Sequence, residues 1–264
     1  MRLPENDEYI EGKKIKILVA GCGTGAEASS LAADFPSAEI LAVDLSRTSL
    51  AYASYMAGKH GLKNISFRHG DILQLGSCLH DKYDFISCGG VLHHMEDPIN
   101  GWSVLTGLLK DGGLMCIGLY SKTARRFILQ AQEFIKKNQY PLDTQGIMRF
   151  RREAPDVLEK RIYDGILKTS DYYYLSMCRD LLFHVQEHDF DIPDIAEALK
   201  NMGLLFLGFN FTDASSAVMQ YRLMFPDNSE ADNLSNWHAF EQKNPDTFKA
   251  MYQLWCRKTA VAGA

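Results

Sequence analysis

The chain has 264 residues, 46% of them hydrophobic and 23% charged, the balance of a folded globular protein with one large α/β domain or two small ones. Its formal net charge of −5 argues against non-specific nucleic-acid affinity, and no apolar run reaches the ~18 residues of a membrane-spanning helix. Met1 to Lys14 is polar, with no signal-peptide core, and the six cysteines (22, 78, 88, 116, 178 and 256) form no close pair, so they read as reduced thiols of a cytoplasmic protein.

Strand and helix signals alternate through the first half. Ile15–Ala20 reads as an apolar strand that runs into Gly21-Cys22-Gly23-Thr24-Gly25, and Ala26–Ala33 follows as a helix. Glycines there let a backbone pass close to a ligand, because none carries a Cβ. A strand, a tight glycine turn and a helix open nucleotide-binding α/β domains, and Gly21, Gly23 and Ala26 also satisfy the dinucleotide pattern. Thr24 and Glu27 have the spacing of a capping box. Glu39–Val43 is a second strand. Ser46–His60 is a helix capped by Ser46 and ended by Gly61. Ile65–Arg68 and Tyr83–Cys88 are the third and fourth strands. Asp97 and Pro98 start a helix whose apolar positions are Trp102, Leu105, Leu108 and Leu109, with Gly112 and Gly113 expected to end it. Leu114–Tyr120 is the fifth strand. This alternation implies a parallel sheet with right-handed crossovers.

After Ser121 the pattern changes. Residues 121–203 show helical periodicity and no convincing strand, and strands resume at Leu204–Phe211 and Met251–Arg257. An insertion there is expected to cap the carboxyl edge of the sheet, where such folds bind ligands. Its Arg125, Arg126, Arg149, Arg151, Arg152, Lys160 and Arg161, with Tyr163, Tyr172, Tyr173 and Tyr174, fit solvated helix faces or an anionic or planar acceptor. Met148, Met177, Phe183 and Phe190 are expected in its core. His184, Glu187 and His188 spell H-x-x-E-H on an expected helix, which suits a polar face, a substrate-side role or, with a third ligand, zinc. No third ligand is evident, so no metal is expected. The adjacent His93 and His94 fit either a base beside the reaction centre or structural histidines.

These motifs together resemble class I S-adenosylmethionine-dependent methyltransferases, over about residues 15–120 and the last two strands. The second half is similar to bacterial methyltransferase-domain proteins, some fused to tetratricopeptide repeats. The resemblance implies S-adenosyl-L-methionine as cofactor and a Rossmann-like, seven-stranded, mostly parallel sheet with helices on both faces. It implies a core over 1–120, a helical cap over 121–203 inserted after strand five, and the last two strands within 204–264. Gly21, Cys22, Gly23, Thr24 and Gly25 would contact the methionine part, and Asp44 with Leu45 the ribose. Asp71 and Ile72 would lie by the adenine, and Gly89 by the methionine end. His93, His94 and Tyr120 would line the sulfonium as catalytic candidates, with Arg179, His184 and His188 on the substrate side. Lys110-Asp111-Gly112-Gly113 resembles the turn before the fifth strand. Many family members carry an acid two residues before the first glycine to hold the cofactor ammonium. Here that position is Val19, which leaves backbone carbonyls near Gly21 and Gly89 to serve. The family usually has helical material before the first strand, whereas about fourteen residues precede it here, so a trimmed or less covered front is expected.

The function expected is methyl transfer to a small-molecule or protein acceptor, with no nucleic-acid or membrane partner and the oligomeric state open. A non-catalytic cofactor-binding scaffold and a nicotinamide dehydrogenase on the same turn are the alternatives.

Overall fold

A computed structural model describes residues 14–184, 186–211, 214–249 and 251–259. The reading of Met1 to Lys14 therefore falls, up to residue 13, outside the described residues. Among these, no helix is long and apolar enough to cross a membrane. All six cysteines are free thiols.

Seven strands form one sheet in the order β3-β2-β1-β4-β5-β7-β6. β1 (Lys16–Ala20), β2 (Glu39–Asp44), β3 (Ile65–His69), β4 (Tyr83–Gly89) and β5 (Leu109–Tyr120) run parallel. β7 (Met251–Lys258) is antiparallel between β5 and β6 (Leu204–Phe209). The central strands are apolar on both faces because helices cover both, as parallel sheets require. Ile17, Val19 and Ile40 pack with α1 (Ala26–Asp34) on one face. Leu18, Ile86 and Ile117 pack with α4 (Pro98–Leu108) on the other. The order reverses between β1 and β4, so a crevice opens beyond their carboxyl ends.

Several local expectations hold. Ser46 Oγ accepts from the Ser49 amide (3.2 Å) at the start of α2 (Arg47–Lys59), and Asp97 Oδ1 accepts from the Asn100 amide (2.9 Å) before α4. Others need correction. The cap of α1 is Gly25 at φ 81°, with no side-chain hydrogen bond, so Thr24 and Glu27 form no capping box. Gly112 and Gly113 do not end α4, which stops at Leu108. They lie inside β5, where Leu109 already pairs with Tyr83 and a shift in register absorbs the glycine turn. A short helix, α3 (Ile72–Cys78), was not legible, because its seven residues carry no clear period.

The chain leaves the sheet at Ser121 and returns at Phe190, and these two residues bridge in parallel. Ser121 Oγ also donates to the buried Glu241 Oε1 (3.0 Å). Between them α5 (Arg126–Lys137), α6 (Thr144–Val157), α7 (Lys160–Ile166) and α8 (Leu175–Leu182) enclose a second apolar core around Ile147, Phe150, Ile166 and Leu182. Phe183 and Phe190 are buried as expected. Met148 (61% exposed) and Met177 (47%) are not, since both sit on outward helix faces. α9 (Ile192–Met202), inside the 121–203 stretch, packs Ile195 and Leu199 into the sheet's core. α10 (Ala214–Met224) and α11 (Leu234–Lys243) complete the fold.

Candidate functional site

The glycine turn sits at the switch point. Gly21, Gly23 and Gly25 all have positive φ (76°, 52° and 81°), which L side chains rarely adopt. Their surroundings differ. A Cβ at Gly21 would lie 2.3 Å from Val91 Cγ2, and one at Gly25 2.6 Å from Ala53 Cβ, so those two are glycine for packing as well. A Cβ at Gly23 would meet nothing within 4 Å, and the same is true of Gly89 at the end of β4. Both glycines therefore border open space, Gly23 in the turn after β1 and Gly89 at the carboxyl end of the neighbouring β4.

Asp44 ends β2 beside them. Its Oδ2 accepts from the Gly23 amide (2.7 Å) and its Oδ1 from the Ser46 amide (2.8 Å), so it ties the turn to the start of α2. Each carboxylate oxygen keeps a second acceptor site, enough for two ribose hydroxyls. Leu45 follows at 66% exposure, an apolar surface for a base or sugar. Asp71 Oδ1 caps α3 through the Leu73 amide (3.0 Å). Ile72 turns into the core (6% exposed), so its side chain offers little to a ligand. Thr24 is exposed on the turn. Burial pushes the half-buried Cys22 thiol up to about 11, and it stays protonated.

Glu27, beside this turn, is a residue that sequence reasoning misassigned as a cap. Ser87 Oγ donates to Glu27 Oε1 (2.6 Å). Ser87 is the register partner of Val19 on the neighbouring parallel strand. Residues paired in this way share a face of the sheet, so the Glu27 carboxylate lies over the position that Val19 leaves apolar. The only signal was an acid in the first helical turn, which fits a cap equally well.

Beyond β4 and β5 an aromatic and ionic cluster forms. A tight turn at Leu92–His94 places His93 and His94 there. His93 is fully buried and stacks on Tyr120, with ring centroids 3.6 Å apart. Burial, then His94 and Arg125, pushes its pKa down to about 3, so the ring is neutral. It is closed to solvent, packed against the Tyr120 ring. His94 lies edge-on to Tyr120 and 4.6 Å from the His184 ring. Burial, then His184, lowers its pKa as well. Burial raises the Tyr120 phenol above its ordinary value.

Arg125, read as part of a charge run, is 2% exposed. Its guanidinium lies 3.6 Å from the Tyr120 ring centroid. Nη2 donates to Glu187 Oε2 (2.7 Å), and Nε lies 2.9 Å from Asp189 Oδ1, an ion pair off the hydrogen-bond line. Gln132 Nε2 also donates to Glu187 Oε2 (3.1 Å).

The H-x-x-E-H segment is not helical. α8 ends at Leu182, and His184 and residues 186–189 are irregular. His184 and Glu187 reach the cluster. His188 meets it through its backbone amide, which donates to the His93 carbonyl (2.8 Å). Arg179 lies outside it, exposed, with Nη2 3.4 Å from Thr144 Oγ1. Most of the other insertion cations form exposed pairs on helix faces, such as Arg149–Glu153 and Lys160–Asp164. A cavity of about 660 Å³ lies at the end of β6, lined by Asn210, Phe211, Phe248, Met251 and Gln253. Met251, which lines this cavity, also lies against β5, where a Cβ at Gly118 would meet its sulfur at 3.0 Å.

Sheet order, turn and flanking carboxylates define the class I, S-adenosylmethionine-dependent methyltransferase architecture. Residues 11–173 match the family described as "Methyltransferase domain", and the chain belongs to it. It is 32% identical over 211 residues to an uncharacterized protein of Synechococcus sp., covering 75% of this chain and 49% of that one. It is 26% identical over 142 residues to a ubiquinone biosynthesis O-methyltransferase of Leptothrix cholodnii, covering 53% and 59%. The chain thus spans about half the length of the curated relatives it matches. The fold is shared with PKMT2 from Rickettsia typhi (TM-score 0.68, 15% identity, 94% of this chain and 50% of that one). That protein's complex with AdoHcy matches with a TM-score of 0.63 at 16% identity, over 94% and 49%.

Proposed function

We propose that this chain binds S-adenosyl-L-methionine between Gly23 and Gly89 and transfers its methyl group to a small-molecule or protein acceptor. The observation that carries this reading is the pair of glycines that border open space at the ends of β1 and β4, on the two sides of the switch point in strand order, with Asp44 bonded to Gly23. In-line displacement on the sulfonium leaves S-adenosylhomocysteine. Such a transfer needs chiefly alignment of acceptor, methyl and sulfonium, together with exclusion of water. Tyr120, His94 and His184 are the side chains proposed to face the acceptor, and the 121–203 helices serve as the cap. A cytoplasmic location is supported by the six free thiols. Calorimetric titration with S-adenosylhomocysteine and with NAD tests the reading. Binding of the first alone supports it, and binding of NAD alone overturns it in favour of a dehydrogenase.

Asp44→Ala should weaken S-adenosylhomocysteine binding at least tenfold, since each charge-assisted hydrogen bond to the ribose is worth roughly 1.5–3 kcal/mol. The same change frees the Gly23 amide, so the melting temperature is recorded beside the affinity. Unchanged affinity in a folded variant removes the ribose assignment.

Glu27 is proposed to hold the cofactor ammonium in place of an acid at position 19. Glu27→Gln should then weaken S-adenosylhomocysteine binding tenfold or more. Methylthioadenosine, which lacks the amino-acid end, should bind wild type and variant alike. An equal loss for both ligands makes Glu27 a support of the turn instead. The scaffold alternative drew on Val19, and a Glu27 that holds the ammonium would remove that ground.

A further inference from the structure

The ionic cluster beyond β5 holds two buried polar atoms that face each other too far apart for a hydrogen bond. Glu187 has a side chain only 6% exposed, and its Oε1 has no hydrogen-bond partner. It lies 3.9 Å from His94 Nδ1, which is buried and equally unpaired. An unmet buried polar atom costs about 1–3 kcal/mol, so a pair of them calls for a shared partner. The charge balance calls for a cation. Arg125 alone faces two buried carboxylates, Glu187 and Asp189, which leaves one negative charge over. His188 and Lys122 are the other basic groups near Asp189, and Lys122 is exposed and screened by solvent. A third donor is at hand, because ligand atoms of His94, His184 and Glu187 all lie within 4.8 Å of one another.

We propose that His94, His184 and Glu187 bind one divalent transition-metal ion of the zinc class. Two imidazoles and a carboxylate form a borderline donor set that suits zinc better than magnesium or calcium. Glu187 Oε2, held by Arg125 and Gln132, fixes the carboxylate and leaves Oε1 for the ion. His184 is partly exposed and gives an entry path. The site gives up one contact, the 3.1 Å hydrogen bond from the Gln186 amide to His184 Nδ1, because coordination through Nδ1 takes its lone pair and coordination through Nε2 moves the proton onto Nδ1. The expectation of no metal rested on the lack of a third ligand for His184 and His188. The fold supplies His94 and turns His188 elsewhere. The site would stand beside Tyr120 whatever the acceptor proves to be.

Zinc chloride titrated calorimetrically into chelator-treated protein should show one site per chain. His184→Ala, which leaves Arg125, Glu187 and Asp189 intact, should weaken uptake at least tenfold. Glu187→Gln should do the same, with circular-dichroism melts confirming that both variants fold. No uptake by wild type means that water alone bridges His94 and Glu187, and the proposal falls. It falls equally if both folded variants take up zinc like wild type, because the ion then sits elsewhere.

Discussion

Arg125→Leu is expected to lower the unfolding free energy by about 3–5 kcal/mol, the usual consequence of stripping a buried ion pair of one partner. The leucine fills part of the space but leaves Glu187 and Asp189 as buried carboxylates without their cation. It also removes the guanidinium from the Tyr120 face, and with it the tie between the start of the insertion and its return at Phe190. The loss should depend on pH in a definite direction. Burial raises both carboxyl groups above their ordinary values, and Arg125 is the largest opposing influence on each. Without it the rise must be greater. A carboxyl whose folded pKa is raised binds more protons folded than unfolded, so its contribution falls as pH rises through that window. The variant's deficit should therefore be widest at neutral pH and shrink as pH is lowered toward the ordinary carboxylate range near 4. Urea unfolding of both proteins across that range checks this. A deficit that stays the same at every pH would mean that packing of the arginine stem, not charge, is what was lost.

Gly23→Val is expected to abolish cofactor binding while costing the fold little. At φ 52° a β-branched residue is strained by about 1–2 kcal/mol, but no atom lies within 4 Å of the new Cβ, so nothing in the protein is displaced. The side chain enters the open space between Gly23 and Gly89. S-adenosylhomocysteine affinity should drop at least about a hundredfold, on the order of 3 kcal/mol. Gly61→Val is the matched control. Its φ is 70° and its Cβ is equally free, but it lies at the end of α2 away from the crevice. Similar destabilisation in the two, with binding lost only at Gly23, assigns the loss to the ligand. Comparable binding in both would mean that no ligand lies against this turn.

The fold and part of the candidate site were legible because their signals are local. Apolar runs bounded by glycine and proline marked the strands. Gly21, Gly23 and Gly25 stand close together in the chain, and Asp44 falls at a strand end. The remainder depends on pairs far apart in sequence. Glu27 looks like a capping acid until the register of β1 and β4 sets Ser87, and therefore the carboxylate, over Val19. Arg125 looks like one of many surface arginines until the return at Phe190 brings Glu187 and Asp189 around it. The H-x-x-E-H run suggested a helix face because its spacing permits one, yet α8 ends at Leu182 and the His188 amide bonds to the His93 carbonyl. The sequence by itself determined an α/β sheet with a glycine turn at its carboxyl edge, since period and turn chemistry act over a few residues. Which side chains meet there was decided only by tertiary structure, because a contact between His94, His184 and Glu187 exists only once the inserted helices have docked.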